Sequence, residues 1–458
     1  MRANAVEGQA PRRSFRERLR QMSPPRLAIL TFTSLVLLVA LVLWLPISTQ
    51  SGRAAHFIDA LFTATSSVCV TGLTSVDTAE YWSSFGQAAM LVGIQIGGLG
   101  IMTLSSILSL VTMRRLGLRS RLMIASERGS NRLGEVGLLV RGVAVISLVA
   151  EVIIALILIP RFAAAGETWP KAIWHGVFYS VSSFNNAGLA PTQHGLVPHL
   201  GDWWVLVPLG LGVLVGSLGF PVIIDVTRHL RHPSRWNLHT KLTLSFSLAV
   251  LVFGVVVISI TEWTNPATLG SVSTPDTLLN TVFASINTRS GGFSTWTLAH
   301  ERPATILVQE AMMFVGGGSA STAGGIKVTT LAVMLLAILA ESRGDRDMEA
   351  FGRRIDPSVL RIAITVAVAG VFFVVSAAFA LSLLGVGPLD YVIFEAISAF
   401  ATCGLSTGLS ATLPAIGKLV LVALMLAGRL GTITIAASVA LSNRRRLIRL
   451  PEERPMIG

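Results

Sequence analysis

Charge is scarce in this chain. Asp, Glu, Lys and Arg make up 13% of its 458 residues, where a soluble domain carries about 25%. Apolar residues reach 52% and mean hydropathy is +0.68. That shortage argues against a soluble enzyme or binding domain and for a polytopic membrane protein. Cysteine is limited to Cys69 and Cys403. A disulfide between them is one reading; small neutral fillers of two repeated stretches is the favoured one. His175, His194 and His199 are scattered without ligand spacing, so a metal site is not expected. No G-x-G-x-x-G follows a strand, and no stretch reads as a soluble regulatory domain, so no nucleotide cofactor is expected on this chain. No cleavable signal is apparent either. The basic head runs into the apolar stretch 27–47, long enough to span a membrane.

The formal charge is +12. In a soluble protein that excess would suggest nucleic acid, but its placement argues otherwise. Twenty-seven of the 36 Lys and Arg fall in 1–26, 113–136, 227–241, 341–361 and 443–458. The segments between hold only Arg53, Arg161, Lys171, Arg289, Arg302 and Lys418 on the opposite side. This asymmetry orients both termini and the inter-repeat loops towards the cytoplasm.

One stretch recurs four times: S-S-V-C-V-T-G-L from Ser66, S-S-F-N-N-A-G-L from Ser182, N-T-R-S-G-G-F from Asn287 and S-A-F-A-T-C-G-L from Ser398. The glycines that mark the copies, Gly72, Gly188, Gly292 and Gly404, lie 116, 104 and 112 residues apart. A phenylalanine (Phe62, Phe178, Phe283, Phe394) precedes each by nine or ten residues. A small-residue cluster follows each at about 25 residues, beginning at Gly97, Gly216, Gly316 and Gly428. The expected fold is an all-α polytopic membrane protein of four parallel repeats around one central pore. Each repeat is a helix, a short re-entrant pore helix, a glycine turn and a second helix, giving eight spans.

The division expected is a basic tail at 1–25, repeat 1 at 26–115, a cytoplasmic loop at 116–136 and repeat 2 at 137–228. Repeat 3 follows at 229–345, repeat 4 at 346–442 and a basic tail at 443–458. Spans are expected at 27–47, 87–111, 137–160, 202–226, 241–262, 304–340, 358–385 and 414–442. The short helices fall at 56–67, 170–184, 275–287 and 389–400. The clusters Gly97–Gly100 and Gly216–Gly219 suit close helix packing through small residues. The stretch Gly316–Gly325 reads differently. Its five glycines each cost about 1 kcal/mol in a helix, so it should unwind into a loop at membrane depth.

Four parallel copies can close around one axis. Each short helix then aims its C-terminal end inward, where the macrodipole offers about half a negative charge. The glycine-ended segment after it can present backbone carbonyls, and a ring of carbonyls replaces the hydration shell of a monovalent cation. Bare carboxylates there would bind too tightly for exit, and the repeated stretches contain no Asp or Glu. The candidate ion-binding residues are Val70, Thr71, Gly72; Asn186, Ala187, Gly188; Ser290, Gly291, Gly292; and Thr402, Cys403, Gly404.

These residues resemble the filter segments of the Trk/Ktr/HKT potassium transporter superfamily, over about residues 26–445. The matches are T-G-L, N-N-A-G-L, R-S-G-G-F and A-T-C-G-L in repeats one to four. The third departs from the usual pattern, with Ser290-Gly291 where the family has Thr-Ala. G-G-I-K at Gly324–Lys327 resembles the end of the family's intramembrane gate loop, and Arg429 matches an arginine placed beside that loop. With eight spans and no extra helix pair before the first pore loop, the pattern is more like the Ktr B type of membrane subunit than the Trk H type.

The resemblance implies uptake of K+ through a channel-like pore in a prokaryotic cell membrane, with K+ held by filter carbonyls. It implies a gate comprising Gly316, Gly317, Gly318, Ser319, Ser321, Thr322, Gly324, Gly325, Lys327 and Arg429. It also implies a homodimer among membrane lipids, docked on a separate cytoplasmic nucleotide-binding ring of RCK/KTN type. In plant relatives a serine in place of the first filter glycine goes with sodium preference, whereas all four positions here are glycine. Sodium conduction, or Na+ as a coupling ion, is the alternative within the class.

Two rival classes are disfavoured. A membrane-embedded enzyme would need titratable groups converging on one site, and an inverted-repeat carrier would put basic loops on alternate sides. Arg289 reads as a brace that caps carbonyls or meets an acid behind the pore helix. Glu151, Asp225, Glu262 and Glu310 are candidate partners for the intramembrane cations Lys327 and Arg429.

Overall fold

The structure, a computed structural model, describes residues 24–115, 132–431 and 435. The tails at 1–23 and 443–458 and most of the loop at 116–136 lie outside the described residues. The apolar runs fold as helices in the expected order. Repeat 1 contains α1 (Pro24–Trp44), α2 (Phe57–Val68) and α3 (Ser84–Arg115). Repeat 2 contains α4 (Arg132–Ala164), α5 (Trp169–Phe184), α6 (Trp203–Leu218) and α7 (Phe220–Arg228). Repeat 3 contains α8 (Leu238–Glu262), α9 (Thr274–Thr288), α10 (Pro303–Phe314) and α11 (Val328–Arg343). Repeat 4 contains α12 (Pro357–Leu383), α13 (Leu389–Ala401) and α14 (Ala415–Leu426), which continues as a π-helical turn at Ala427–Gly431. A two-residue antiparallel pair, Glu349–Ala350 with Arg353–Arg354, makes a small hairpin before α12.

The first helix of each repeat faces outward. Leu156, Ile260 and Phe372 are 66%, 73% and 67% exposed, and in water such apolar surface would be costly. The short helices α2, α5, α9 and α13 are the reverse. Phe62, Phe178 and Phe394 are fully buried and Phe283 nearly so. Each short helix packs on both helices of its own repeat and on the inner helix of the repeat before it: α5 on α3, α9 on α6 and α13 on α10. The series closes when α2 packs on α14. Four tandem copies therefore form a ring.

Close approach requires the small clusters. A side chain at Gly97, Gly216 or Gly428 would strike the carbonyl of Val68, Phe184 or Phe400 respectively, the same position in three repeats. The expected packing role thus holds for Gly97 and Gly216.

The inner helices differ. In repeat 1, α3 is one unbroken helix, whereas the inner helices of repeats 2 and 3 are interrupted. The span expected as one helix over 202–226 bends by 97° between α6 and α7, with Gly219 at φ 94°. The physical reason is tertiary: the Phe220 N–H donates to Ala320 O (3.2 Å), in the loop of the next repeat. The expected break in repeat 3 is present, between Phe314 and Val328. Four helices, Ser84–Ser106, Val140–Ala164, Leu238–Glu262 and Pro357–Leu383, are individually long and apolar enough to cross a membrane, and the bent pair makes a fifth. The expected span at 27–47 is the 21-residue helix α1, that at 304–340 is broken into α10 and α11, and the end of that at 414–442 lies outside the described residues.

One ion pair ties the ring where repeat 4 meets repeat 1. Lys418 Nζ lies 2.7 Å from Asp59 Oδ1, both side chains about nine-tenths buried, and Ser75 Oγ donates to the same oxygen at 2.8 Å. Breaking such a pair strands one buried charge, which costs about 3–5 kcal/mol. Asp59→Ala should lower thermal stability in detergent by that order. Asp59→Asn with Lys418→Met should be milder. Equal melting temperatures for Asp59→Ala and the unmodified protein would contradict a structural role for the pair.

Candidate functional site: a ring of four glycines above a broken helix

Each short helix ends in a strand-like segment with an unusual backbone. Val70, Asn186, Ser290 and Thr402 have φ of 54°, 60°, 85° and 46°, and two residues later Gly72, Gly188, Gly292 and Gly404 have 98°, 66°, 77° and 94°. The residue between them does not share the positive φ. Alternating handedness turns successive carbonyls to one side, at a cost of about 1–3 kcal/mol per non-glycine residue. Val70 and Thr402 are β-branched, for which this conformation is least favourable.

The segments are held from behind. Thr71, Ala187 and Cys403 donate their N–H to the carbonyls of Ser66 (2.7 Å), Ser182 (2.7 Å) and Ser398 (2.9 Å), and Gly292 donates to Asn287 O at 3.3 Å. Ser66 Oγ accepts from the Gly72 N–H (3.0 Å) and Ser398 Oγ from that of Gly404 (3.1 Å). Asn287 Oδ1 accepts from Phe293 N at 3.2 Å. With N–H groups drawn outward, the segments turn carbonyls towards one another. A Cβ built on Gly72 would stand 2.5 Å from Ala187 O, one on Gly188 2.7 Å from Gly292 Cα, and one on Gly292 2.5 Å from Cys403 O. One on Gly404 would strike Thr71 O. The order 1–2–3–4–1 again closes, and no side chain fits at these positions.

Towards one face, the four glycines line an open cleft of about 370 Å³, with Asp77, Thr192 and Trp296 at its walls. Behind Trp296 lies Glu301, which accepts from Trp296 Nε1 (2.7 Å) and Gln309 Nε2 (3.0 Å). Burial pushes its carboxyl up to about 8, so it adds little negative charge to the mouth at neutral pH.

Against the opposite face lies the loop between α10 and α11. Gly318 N donates to Ser217 O (2.7 Å) and Thr322 N to Gly216 O (3.3 Å), so the loop satisfies the open carbonyls where α6 ends. Thr322 Oγ1 donates to Phe184 O (3.3 Å) and Asn186 Oδ1 (3.0 Å). Gly324 N donates to Ser290 Oγ at 3.0 Å. The loop closes on itself through Gly316 N to Ile326 O (2.8 Å) and Ser321 Oγ to Gly318 O (2.6 Å). Ser319 Oγ meets Thr329 Oγ1 at 3.1 Å. Gly317 O accepts from Val328 N at 3.0 Å, and Gly325 has φ 67°. Arg429, 2% exposed, donates through Nη1 to Thr322 O, and Lys327 Nζ donates to Ala323 O at 2.6 Å.

The comparisons with known proteins bear on this arrangement. The model of the TrkH cation transport protein family matches residues 17–445. The chain belongs to the TrkH family of cation transport proteins. The Ktr system potassium uptake protein B of Bacillus subtilis (strain 168) is 34% identical over 442 residues, covering 96% of this chain and 97% of the relative. Its namesake in Vibrio alginolyticus is 36% identical over 436 residues, 95% of each chain. The potassium/sodium uptake protein NtpJ of Enterococcus hirae is 34% identical over 449 residues, 96% of this chain and 98% of the relative. Among solved structures, the potassium transporter TrkH from Vibrio parahaemolyticus superposes with a TM-score of 0.68 at 17% identity, over 90% of this chain and 84% of that one.

All twelve ring residues expected in this family member come together, and so do the loop residues with Arg429. The two cysteines are free, buried thiols, in line with the favoured reading, and Cys403 Sγ donates to Asn287 O and Thr288 O at 3.4 Å each. One expectation needs correction. Among the described residues, no carboxylate pairs with Lys327 or Arg429; carbonyls serve instead. The four candidate acids are occupied elsewhere or lack a cation. Glu262, for example, accepts from Asn265 (2.7 Å), Thr268 (2.7 Å) and the Arg302 N–H (2.9 Å). The Arg289 brace is as expected, donating to Ser247 O (2.9 Å) and Oγ (3.0 Å).

A buried network behind repeat 2 was not foreseen. Glu151 accepts from Ser147 Oγ (2.6 Å), Gln95 Nε2 (3.2 Å) and Asn185 Nδ2 (3.1 Å), and Asn185 adjoins ring residue Asn186. Polar residues inside apolar runs were its only sequence signal. Each donor stranded in such a site costs about 1–3 kcal/mol. Glu151→Leu should therefore destabilise the protein by at least that order, and Glu151→Gln, which keeps an acceptor, by less. Thermal unfolding in detergent checks the ranking, and a Glu151→Leu protein as stable as Glu151→Gln would refute it.

Proposed function

We propose that this chain is the ion-translocating subunit of a potassium uptake system of the cell membrane. The glycine ring is its selectivity filter, and the loop between α10 and α11 is its gate. The observation that carries the reading is the closed ring of four left-handed glycines, each too close to the next segment for a side chain. Such a ring can replace a cation's hydration shell with carbonyls at several levels. The family and its relatives named for potassium uptake support K+ as the transported ion. The absence of Asp and Glu from the filter segments suits exit as well as entry.

Sodium remains the second reading, favoured by the Enterococcus hirae relative named for potassium and sodium uptake. Glycine at all four positions favours potassium. The basic segments orient both termini and the loop face to the cytoplasm, so the cleft faces outward. The absence of a nucleotide fingerprint leaves regulation to a cytoplasmic nucleotide-binding ring of RCK/KTN type, with the chain as a homodimer among lipids. The chain carries no enzymatic step in this reading.

Gly72→Ser and Gly292→Ser each force a side chain into the ring. Potassium over sodium preference in liposomes should fall at least about tenfold, equal to about 1.4 kcal/mol of differential binding. An unaltered preference in well-folded variants rules the filter out. For the gate, removing part of 317–323 should raise flux and weaken control by the partner, because a loop seated across the path is lost. Arg429→Ala should act in the same direction by releasing Thr322 O. If the deletion instead abolishes flux in inserted, assembled protein, the loop is structural.

A further inference from the structure

Ser290 occupies the left-handed position in the third filter segment, fully buried. Its hydroxyl makes two bonds in opposite senses. It accepts from the Gly324 N–H of the loop at 3.0 Å and donates to the Thr402 carbonyl of the neighbouring repeat at 3.0 Å. The directions are fixed, since an amide N–H only donates and a carbonyl only accepts. The three equivalent residues do not bridge loop and ring in this way. Val70 has no polar side chain, Thr402 Oγ1 is buried without a partner, and Asn186 receives a bond from Thr322 but its Nδ2 has none. The loop is also pressed close at this point, for a Cβ on Gly324 would stand 2.5 Å from Ala401 O.

We propose that Ser290 is a specificity-determining relay that makes the ion preference of the filter depend on whether the loop is seated; this rests on the filter and gate reading above. The Gly324 N–H polarises the Ser290 hydroxyl, and a polarised hydroxyl donates more strongly to Thr402 O. With the loop seated, that carbonyl is directed to Ser290 and its hold on a cation in the ring is weakened. With the loop withdrawn, the hydroxyl loses its fixing donor and can rotate, and the carbonyl turns to the ion. Coupling of this kind is reciprocal. A cation that competes for Thr402 O loosens Ser290 and with it the loop, so the permeant ion favours its own gate opening.

The test is the ratio of potassium to sodium uptake by liposomes holding the full chain with its partner. Ser290→Ala should change the ratio by about two- to tenfold, the factor that one net hydrogen bond is worth. Ser290→Thr, which keeps the hydroxyl, should restore it. In the loop-deleted protein the same Ser290→Ala change should move the ratio by less than about twofold. Gly324→Ala, which displaces the loop while leaving Ser290 in place, should shift the ratio in the same direction and add nothing in the double variant.

An equal shift with and without the loop means that Ser290 acts within the filter alone, and the relay is wrong. An unchanged ratio in Ser290→Ala, where Gly72→Ser still lowers it, overturns the relay and leaves the filter standing. If neither variant moves the ratio, the filter reading itself has failed and takes the relay with it.

Discussion

A backbone carbonyl without a hydrogen-bond partner is costly in an apolar layer, and this structure brings the carbonyls of Thr71, Ala187 and Cys403 close against the glycines of neighbouring repeats. The short helices α2, α5, α9 and α13 end inside the protein, and the segments beyond them turn carbonyls to a common centre. Every neighbouring element serves that end. The outer helices supply a lipid-facing wall, the inner helices approach closely enough to support the ends of the pore helices, and hydroxyls at Ser66 and Ser398 take up the N–H groups of Gly72 and Gly404. Strained φ at Val70 and Thr402 persists because the surroundings leave those residues no other conformation.

The four repeats satisfy one constraint by different means. Repeats 1 and 4 use a serine hydroxyl on the glycine N–H, whereas in repeat 3 the Asn287 carbonyl takes the Gly292 N–H and its side-chain oxygen takes that of Phe293. Repeat 2 is stiffened through Asn185 and a buried carboxylate, Glu151. Repeat 3 is braced by Arg289 against Ser247, and repeat 4 by the Cys403 thiol against the end of α9. A ring of four identical chains could not differ in this way. Tandem repeats in one chain can, and the asymmetry brings the loop of repeat 3 against the segments of repeats 2, 3 and 4.

That loop also decides the shape of its neighbour. Its amides fill the carbonyls at the end of α6, and the chain of repeat 2 turns by 97° at Gly219. Two interrupted inner helices thus complete one another. The cations beside them, Lys327 and Arg429, rest on loop carbonyls rather than on carboxylates. A guanidinium held only by carbonyls is less strongly fixed than one in a buried ion pair.

Much was legible in the sequence because it depends on local spacing. Hydropathy marked the helices to within a few residues, and four recurrences of one stretch fixed the repeat and its glycines. A run of five glycines is a poor helix wherever it lies, so the break after Phe314 could be read directly. What the tertiary structure alone decided concerns pairs of residues far apart in the chain. The bend at Gly219 depends on Ala320, the link from Gly324 through Ser290 reaches Thr402, and Glu151 meets Asn185 from another helix. Each is a hydrogen bond among buried residues, where a polar group takes whatever partner the packing brings within reach. Sequence shows that such a group needs a partner, and only the closing of the ring determines which.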